Sequence, residues 1–357
     1  MGQGTVIGRI DMPSRGYDPL GRFVQRRSAA FLIEELSKLL IGQQAAIDAI
    51  APLVEIYEAG LSPVRRPVGT IMLLGPTGTG KTHTVGSLAQ VVHGSDVNVL
   101  RIDCGEFQLE HEVAKLIGAP PGYLGHRETQ PMISQHKLNA IASDGSTLSI
   151  VLFDEVEKAA PSLQRLILGI LDRGMLKLGD SSTVSFERSI IFMTSNLGSR
   201  EMDSELRSRY NLASTPATQP SASALRGIGM AAMGRKFSPE FINRIDEVVA
   251  YSPLSRESIE RILDIKLAEL NQLMAARLGP MSFKLALSPE AREYLIDRGT
   301  SPTAGARELN RVIYSKVLRR VANLATGGSV EPGSTVSVFV DGDGLRFVPG
   351  KAVAASS

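Results

Sequence analysis

The chain has 357 residues, 43% of them hydrophobic and 21% charged, with a net charge of +2. That size and balance suit about two globular domains with real cores, and they give no electrostatic reason to look for nucleic acid as a partner. One cysteine, Cys104, excludes an internal disulfide and fits a buried thiol in a reducing compartment; no stretch has the apolar length of a membrane span or a secretion signal, so the cytoplasm is the expected location.

Residues 1–27 are rich in Gly and Arg, with Arg9, Arg15, Arg22, Arg26 and Arg27 against Asp11 and Asp18, and read as a flexible, solvated basic arm. Ser28 then caps a helix whose Leu32, Leu36 and Leu39 recur at helical spacing. Ile41-Gly42 breaks it, and a second helix runs over 43–59 with Pro52 inside, where a kink is expected. From residue 70 to 253 apolar runs at 70–74, 98–103, 149–153, 189–193 and 247–251 alternate with helical stretches. Such alternation predicts an α/β domain over 28–253, a parallel sheet with helices on both faces. Within it, Ala213–Ala224 has no apolar side chain larger than alanine and reads as an exposed loop. After Pro253 the pattern turns helical at 257–277, 289–298 and 306–325. Two alternating runs around Asp341-Gly342-Asp343 close it as a hairpin. A smaller, mainly helical domain is therefore expected at 254–349, with a tail at 350–357.

The chemistry begins at Gly75-Pro76-Thr77-Gly78-Thr79-Gly80-Lys81-Thr82, which fits the phosphate-cradling pattern G-x-x-x-x-G-K-[ST] between an apolar strand and a helix. Glycines let backbone N–H groups turn inward around phosphates, and the helix N-terminus adds a favourable dipole. Lys81 is placed to reach the β- and γ-phosphates of ATP and Thr82 to ligate Mg²⁺. Ile150–Phe153 delivers Asp154 and Glu155 at the end of another strand. Beside a P-loop, Asp154 is expected on Mg²⁺ and Glu155 as the group that polarises the attacking water. Asn196 ends the next strand, where a neutral amide can orient that water without adding charge.

Several strings carry a family resemblance. They are IGQQAAIDAI at 41–50, LLGPTGTGKT at 73–82, RIDCGEF at 101–107, GAPPGYLG at 118–125, VLFDEVEKA at 151–159, MTSNLGS at 193–199, FSPEFINRID at 237–246 and GARELNR at 305–311. In this order the chain resembles an AAA+ ATPase of the Clp unfoldase and chaperone family, and more narrowly the second ATPase module of its ClpB and ClpA types. The likeness runs from Ser37 to Val348. It implies an ATP hydrolase that assembles as a homo-oligomeric ring, usually a hexamer, and drives a polypeptide substrate through a central pore. Arg244 matches the arginine finger that reaches nucleotide in a neighbouring subunit, although its position fits a salt bridge with Asp246 as well. Arg307 matches the second sensor, projecting from the small domain. Leu40 and Ile41 match the apolar wall against adenine, or are ordinary core. Tyr123 and Leu124 match the substrate-gripping pore loop, and 177–183 matches a second one.

The chain also departs from the family. A single module is expected, without the family's first ATPase module, substrate-binding N-terminal domain or coiled-coil middle domain, and His126–Gln130 replaces the usual acidic, Gly-rich stretch. Ile228-Gly229-Met230 is the nearest match to a peptidase-docking loop, or is simply helix. Three other readings stay open: a non-threading switch that remodels one dedicated partner, an unfoldase subunit that docks a peptidase, and a nucleic-acid motor supported only by the basic arm. His111-Glu112 starts like a zinc-protease motif, but Lys115 stands where the second histidine is needed. Client, adaptor and process are not written in the sequence.

Overall fold

The computed structural model describes residues 15–17, 23–25, 27–118, 131–143, 145–212, 222–300 and 305–350. Tyr123, Leu124 and the tail at 350–357, apart from Gly350, lie outside them. The chain divides into two compact units, one of Met1–Gly75 with Lys81–Tyr251 and one of Pro76–Gly80 with Ser252–Ser357.

The first unit opens with two short strands, β1 (Arg15–Tyr17) and β2 (Phe23–Gln25), paired antiparallel. The arm thus contains a hairpin that its composition does not announce. Its last residue corrects the expectation of solvated charge: Arg27 is buried, with its guanidinium on Glu58 Oε1 at 3.3 Å and on the Val92 carbonyl at 2.7 Å. Helix α1 (Ala29–Leu39) starts where Ser28 Oγ accepts from the Phe31 amide, and α2 (Gln44–Glu58) continues through Pro52.

Next come β3 (Gly69–Leu74), α3 (Lys81–His93), β4 (Leu100–Asp103), α4 (Val113–Ile117), α5 (Gln135–Ala140), β5 (Ser149–Asp154) and α6 (Pro161–Arg173). A small antiparallel hairpin, β6 (Met175–Lys177) and β7 (Thr183–Ser185), brackets the stretch matched to the second pore loop. Then follow β8 (Ser189–Ser195), α7 (Ser199–Leu212), α8 (Ala222–Lys236), α9 (Pro239–Ile242) and β9 (Glu247–Ala250). Helix α8 corrects one reading and decides another. It takes in Ala222–Ala224, the end of the expected loop. It also buries Gly229 of the Ile-Gly-Met string, where an added Cβ would stand 2.6 Å from Leu74 Cδ1, so that string is packed helix.

Five strands form one parallel sheet in the order β4-β5-β8-β3-β9. Successive side chains of a strand point to opposite faces, and here both faces are covered. Met72, Val151, Phe153, Ile191 and Met193 enter one core with Leu163, Ile167 and Ile170 of α6. Ile71, Leu73, Ile150, Leu152, Ile190 and Phe192 enter another with Leu32, Leu36, Ile47, Val54 and Leu88. Burial on both sides is why these strands read as unbroken apolar runs. The register sets Asp103 beside Asp154 and Leu74 beside Ser195, so the carboxyl ends of four strands carry the polar residues together.

In the second unit, α10 (Arg256–Leu278), α11 (Pro289–Gly299), α12 (Ala306–Val312) and α13 (Arg319–Thr326) enclose a core that includes Leu263, Leu295, Leu309 and Val317. Between α12 and α13 the chain makes a π-helical turn, Ile313–Leu318. The terminal hairpin, β11 (Thr335–Asp341) and β12 (Gly344–Pro349), is extended by β10 (Lys284–Leu287), which pairs parallel to β11. The unit therefore holds a three-stranded sheet where the sequence pattern gave only a hairpin. Among the described residues, no helix is long and apolar enough to cross a membrane.

Candidate active site

The strand ends of the first unit deliver the acidic pair into a bonded network. Asp154 is buried, and three donors converge on it. Arg101 of β4 reaches Oδ2 at 2.5 Å, the Thr82 hydroxyl stands 3.4 Å from both oxygens, and the Thr194 hydroxyl donates to Oδ1. Paired charge and hydrogen bonds are what a buried carboxylate needs.

Glu155 leaves the strand in the left-handed region, with φ 55° and ψ 50°. Its amide donates to Thr194 Oγ1 at 2.9 Å. Its carboxylate is held from two sides, by Asn196 Nδ2 at 3.2 Å and by Lys158 Nζ at 2.5 Å. That ion pair raises the pKa of the exposed Lys158 ammonium, the hydrogen bond to Glu155 being the largest cause. Asn196 is tied in turn: its amide donates to Glu157 Oε1 at 3.0 Å, and its Oδ1 accepts from Lys81 Nζ at 3.0 Å. Lys81, itself buried, also donates to the Gly75 carbonyl at 2.6 Å. Lysine, amide and glutamate thus form one chain from the first residue of α3 to the ends of β8 and β5.

Gly75 adopts φ +143°, and a Cβ there would stand 2.8 Å from the Tyr251 carbonyl, so the turn out of β3 admits only glycine. Gly80 adopts φ +103° and has nothing within 4 Å of the place a Cβ would take. In the second unit, Thr79 Oγ1 donates to the Pro76 carbonyl at 2.9 Å and the Ala306 amide to the Gly78 carbonyl at 3.0 Å. The donor set of the first unit fits a magnesium nucleotide: a buried ammonium, and a hydroxyl next to a buried carboxylate.

The other expected residues have surroundings of their own. Arg244 pairs with Asp172, at the end of α6, at 2.8 Å, while Asp246 pairs with Arg66 at 2.5 Å. The Arg244–Asp246 salt bridge is thereby replaced by two separate ones. Leu40 is buried and packs in the core with α1 and α2, and Ile41 is buried beside it in the chain. Arg307 lies exposed in the first turn of α12. Burial pushes the Cys104 thiol well above its ordinary range, with the Asp103 and Asp154 charges adding to the shift, so it stays protonated. Sequence reasoning passed over Arg101, Thr194 and Lys158. All three lie inside strings already noted; the register of β4, β5 and β8 shows what Arg101 and Thr194 touch, and the turn after β5 brings Lys158 onto Glu155 three residues before it.

Comparison with known proteins bears on this arrangement. Residues 66–248 match the family described as AAA domain (Cdc48 subfamily), and residues 254–338 match the C-terminal, D2-small domain, of ClpB protein. Chaperone protein ClpB of Pseudomonas putida is 39% identical over 323 residues, a match covering 90% of this chain and 35% of that one. ClpB of Propionibacterium freudenreichii is 37% identical over 331 residues, covering 92% and 36%. Among solved structures, the S. cerevisiae Hsp104:casein complex in an extended conformation superposes with a TM-score of 0.76 at 30% identity, over 90% of this chain and 52% of that one. A closed-state reconstruction of Hsp104 with ATPγS and FITC casein gives 0.74 at the same identity and coverage. The chain spans little more than a third of the length of these curated relatives.

Proposed function

Because the chain belongs to the AAA ATPase family and joins that domain to a small domain of the ClpB type, we propose that it hydrolyses ATP in a homo-oligomeric ring and uses the cycle to unfold polypeptide. The observation that carries the hydrolytic reading is the bonded chain Lys81–Asn196–Glu155 beside the buried Asp154. Lys81 would hold the terminal phosphates, and the loop Gly75, Pro76, Thr77, Gly78, Thr79, Gly80 would cradle them. Thr82 and Asp154 would hold Mg²⁺, which neutralises charge on the phosphates when bound. Glu155 takes the proton of the attacking water, and Asn196, bonded to its carboxylate, orients that water. Leu40 and Ile41 would wall the adenine, and Arg307 would couple nucleotide to the small domain.

Arg244 supplies the last charge from a neighbouring protomer, releasing Asp172 to do so. Trans-acting arginines in other nucleotidases are worth about 10³–10⁵ in rate. The Hsp104 structures that this fold matches contain casein, which supports an unfolded polypeptide as the substrate class. Tyr123 and Leu124 would grip it by bulk and stacking surface, without reading its sequence. The test is ATP-dependent loss of fluorescence from a folded reporter protein carrying an unstructured tag, with Tyr123→Ala as control. Threading predicts loss with the unsubstituted protein and none with Tyr123→Ala, whose ATP turnover stays largely intact. A reporter left folded while ATP is hydrolysed contradicts threading and favours a switch acting on one dedicated partner.

A further inference from the structure

We propose that Thr194 is the positioning residue that locks the Asp154–Glu155 turn in its hydrolytic geometry; this rests on the ATPase reading above. Three non-glycine residues among those described have positive φ, namely Arg65, Glu155 and Ser181. A glutamate in the left-handed region persists only where its surroundings over-determine it. At Glu155 the Lys158 amide donates to the carbonyl at 2.9 Å, and one buried side-chain atom ties the residue to its acidic neighbour. Thr194 Oγ1 accepts from the Glu155 amide at 2.9 Å and donates to Asp154 Oδ1. The hydroxyl proton is committed to the carboxylate and a lone pair to the amide, so its rotor is fixed from both sides. Thr194 is 1% exposed, on β8, directly beside β5.

The other bonds of the pair are of a different kind. Lys158, which holds the Glu155 carboxylate, is half-exposed, and so is Arg101 on Asp154; water and a bound ligand can replace either. Thr194 is buried and cannot exchange its partners with solvent. Its hydroxyl therefore ties the Glu155 amide to the Asp154 carboxylate, while Asp154 Oδ2 and the Glu155 carboxylate remain free to change partners. Without it, the Glu155 peptide can relax toward the right-handed region, which would swing the carboxylate away from Asn196.

The test uses the full chain, with steady-state ATP turnover and equilibrium binding of a methylanthraniloyl-labelled ATP. Thr194→Val keeps the shape and removes the hydroxyl. It is expected to lower kcat by about 10- to 100-fold, as misplacement of a reacting group by about 1 Å does. KM and labelled-ATP affinity should move less than about threefold, because the bonds of Lys81 to the Gly75 carbonyl and to Asn196 Oδ1 do not run through Thr194. Thr194→Ser restores the hydroxyl and should return kcat to within about threefold. Undiminished kcat in Thr194→Val overturns the proposal alone, and so does a loss that Thr194→Ser fails to rescue. Absence of turnover in the unsubstituted protein overturns the ATPase reading and this proposal with it. Should Thr194→Val melt below the assay temperature, Thr194→Cys carries the same test with a weaker donor, and full kcat there overturns the proposal.

Discussion

Replacing Arg27 by Met tests whether the end of the arm is structural. Methionine keeps an apolar stem and removes the guanidinium. The change deletes a bond of 2.7 Å to the Val92 carbonyl, a contact of 3.5 Å to the Gly145 carbonyl and the ion pair with Glu58, whose side chain is 4% exposed. A hydrogen bond from a charged donor contributes about 1.5–3 kcal/mol, and breaking a buried ion pair by removing one partner costs about 3–5 kcal/mol. The two overlap, because part of the second figure is the charge left on Glu58. We therefore expect Arg27→Met to lose about 2–4 kcal/mol of stability in urea denaturation followed by circular dichroism. Adding Glu58→Gln should recover part of the loss, since the stranded charge goes with it. A loss below about 0.5 kcal/mol, the range of ordinary surface substitutions, would refute the reasoning.

The same corner of the fold gives a pH dependence. Burial, with the Arg27 charge as a second cause, lowers the pKa of His93 from 6.5 to about 4. The folded state therefore favours the neutral ring, so its contribution is fully present above pH 6.5 and is lost as the pH falls from 6.5 toward 4. Thermal melts across that window should fall toward acid more steeply for the unsubstituted protein than for His93→Gln; parallel curves would contradict the assignment. At the strand ends, Glu155→Gln should bind ATP but turn it over at least about 100-fold more slowly, measured by phosphate release, since a positioned base contributes about 10²–10⁴. Fast turnover by that variant would remove Glu155 as the base.

The parallel sheet was legible because its strands are buried on both faces and so are written as continuous apolar runs, as in Ile150–Phe153 and Ile190–Met193. Lys81, Asp154, Glu155 and Asn196 were legible because each closes or follows such a run. What the sequence hid depends on contacts between distant segments. Strand β10 has one buried side chain, Leu285, and borrows its identity from pairing with β11. The start of α8 lies in a Ser-Ala run with no large apolar residue to mark a face. Arg27 sits in a basic stretch, and nothing local says that Glu58 and Val92 wait for it. Thr194 reads as one more polar residue at a strand end until the register with β5 sets its hydroxyl between two acids.

The most direct measurement is ATP turnover per protomer across a dilution series, for the unsubstituted protein, for Arg244→Ala and for a mixture of Arg244→Ala with Glu155→Gln. Completion of the site by a neighbour predicts activity that falls on dilution, little activity in either variant alone, and partial recovery when the two are mixed, because each can supply what the other lacks. Equal turnover at every dilution, or full activity in Arg244→Ala, would contradict it.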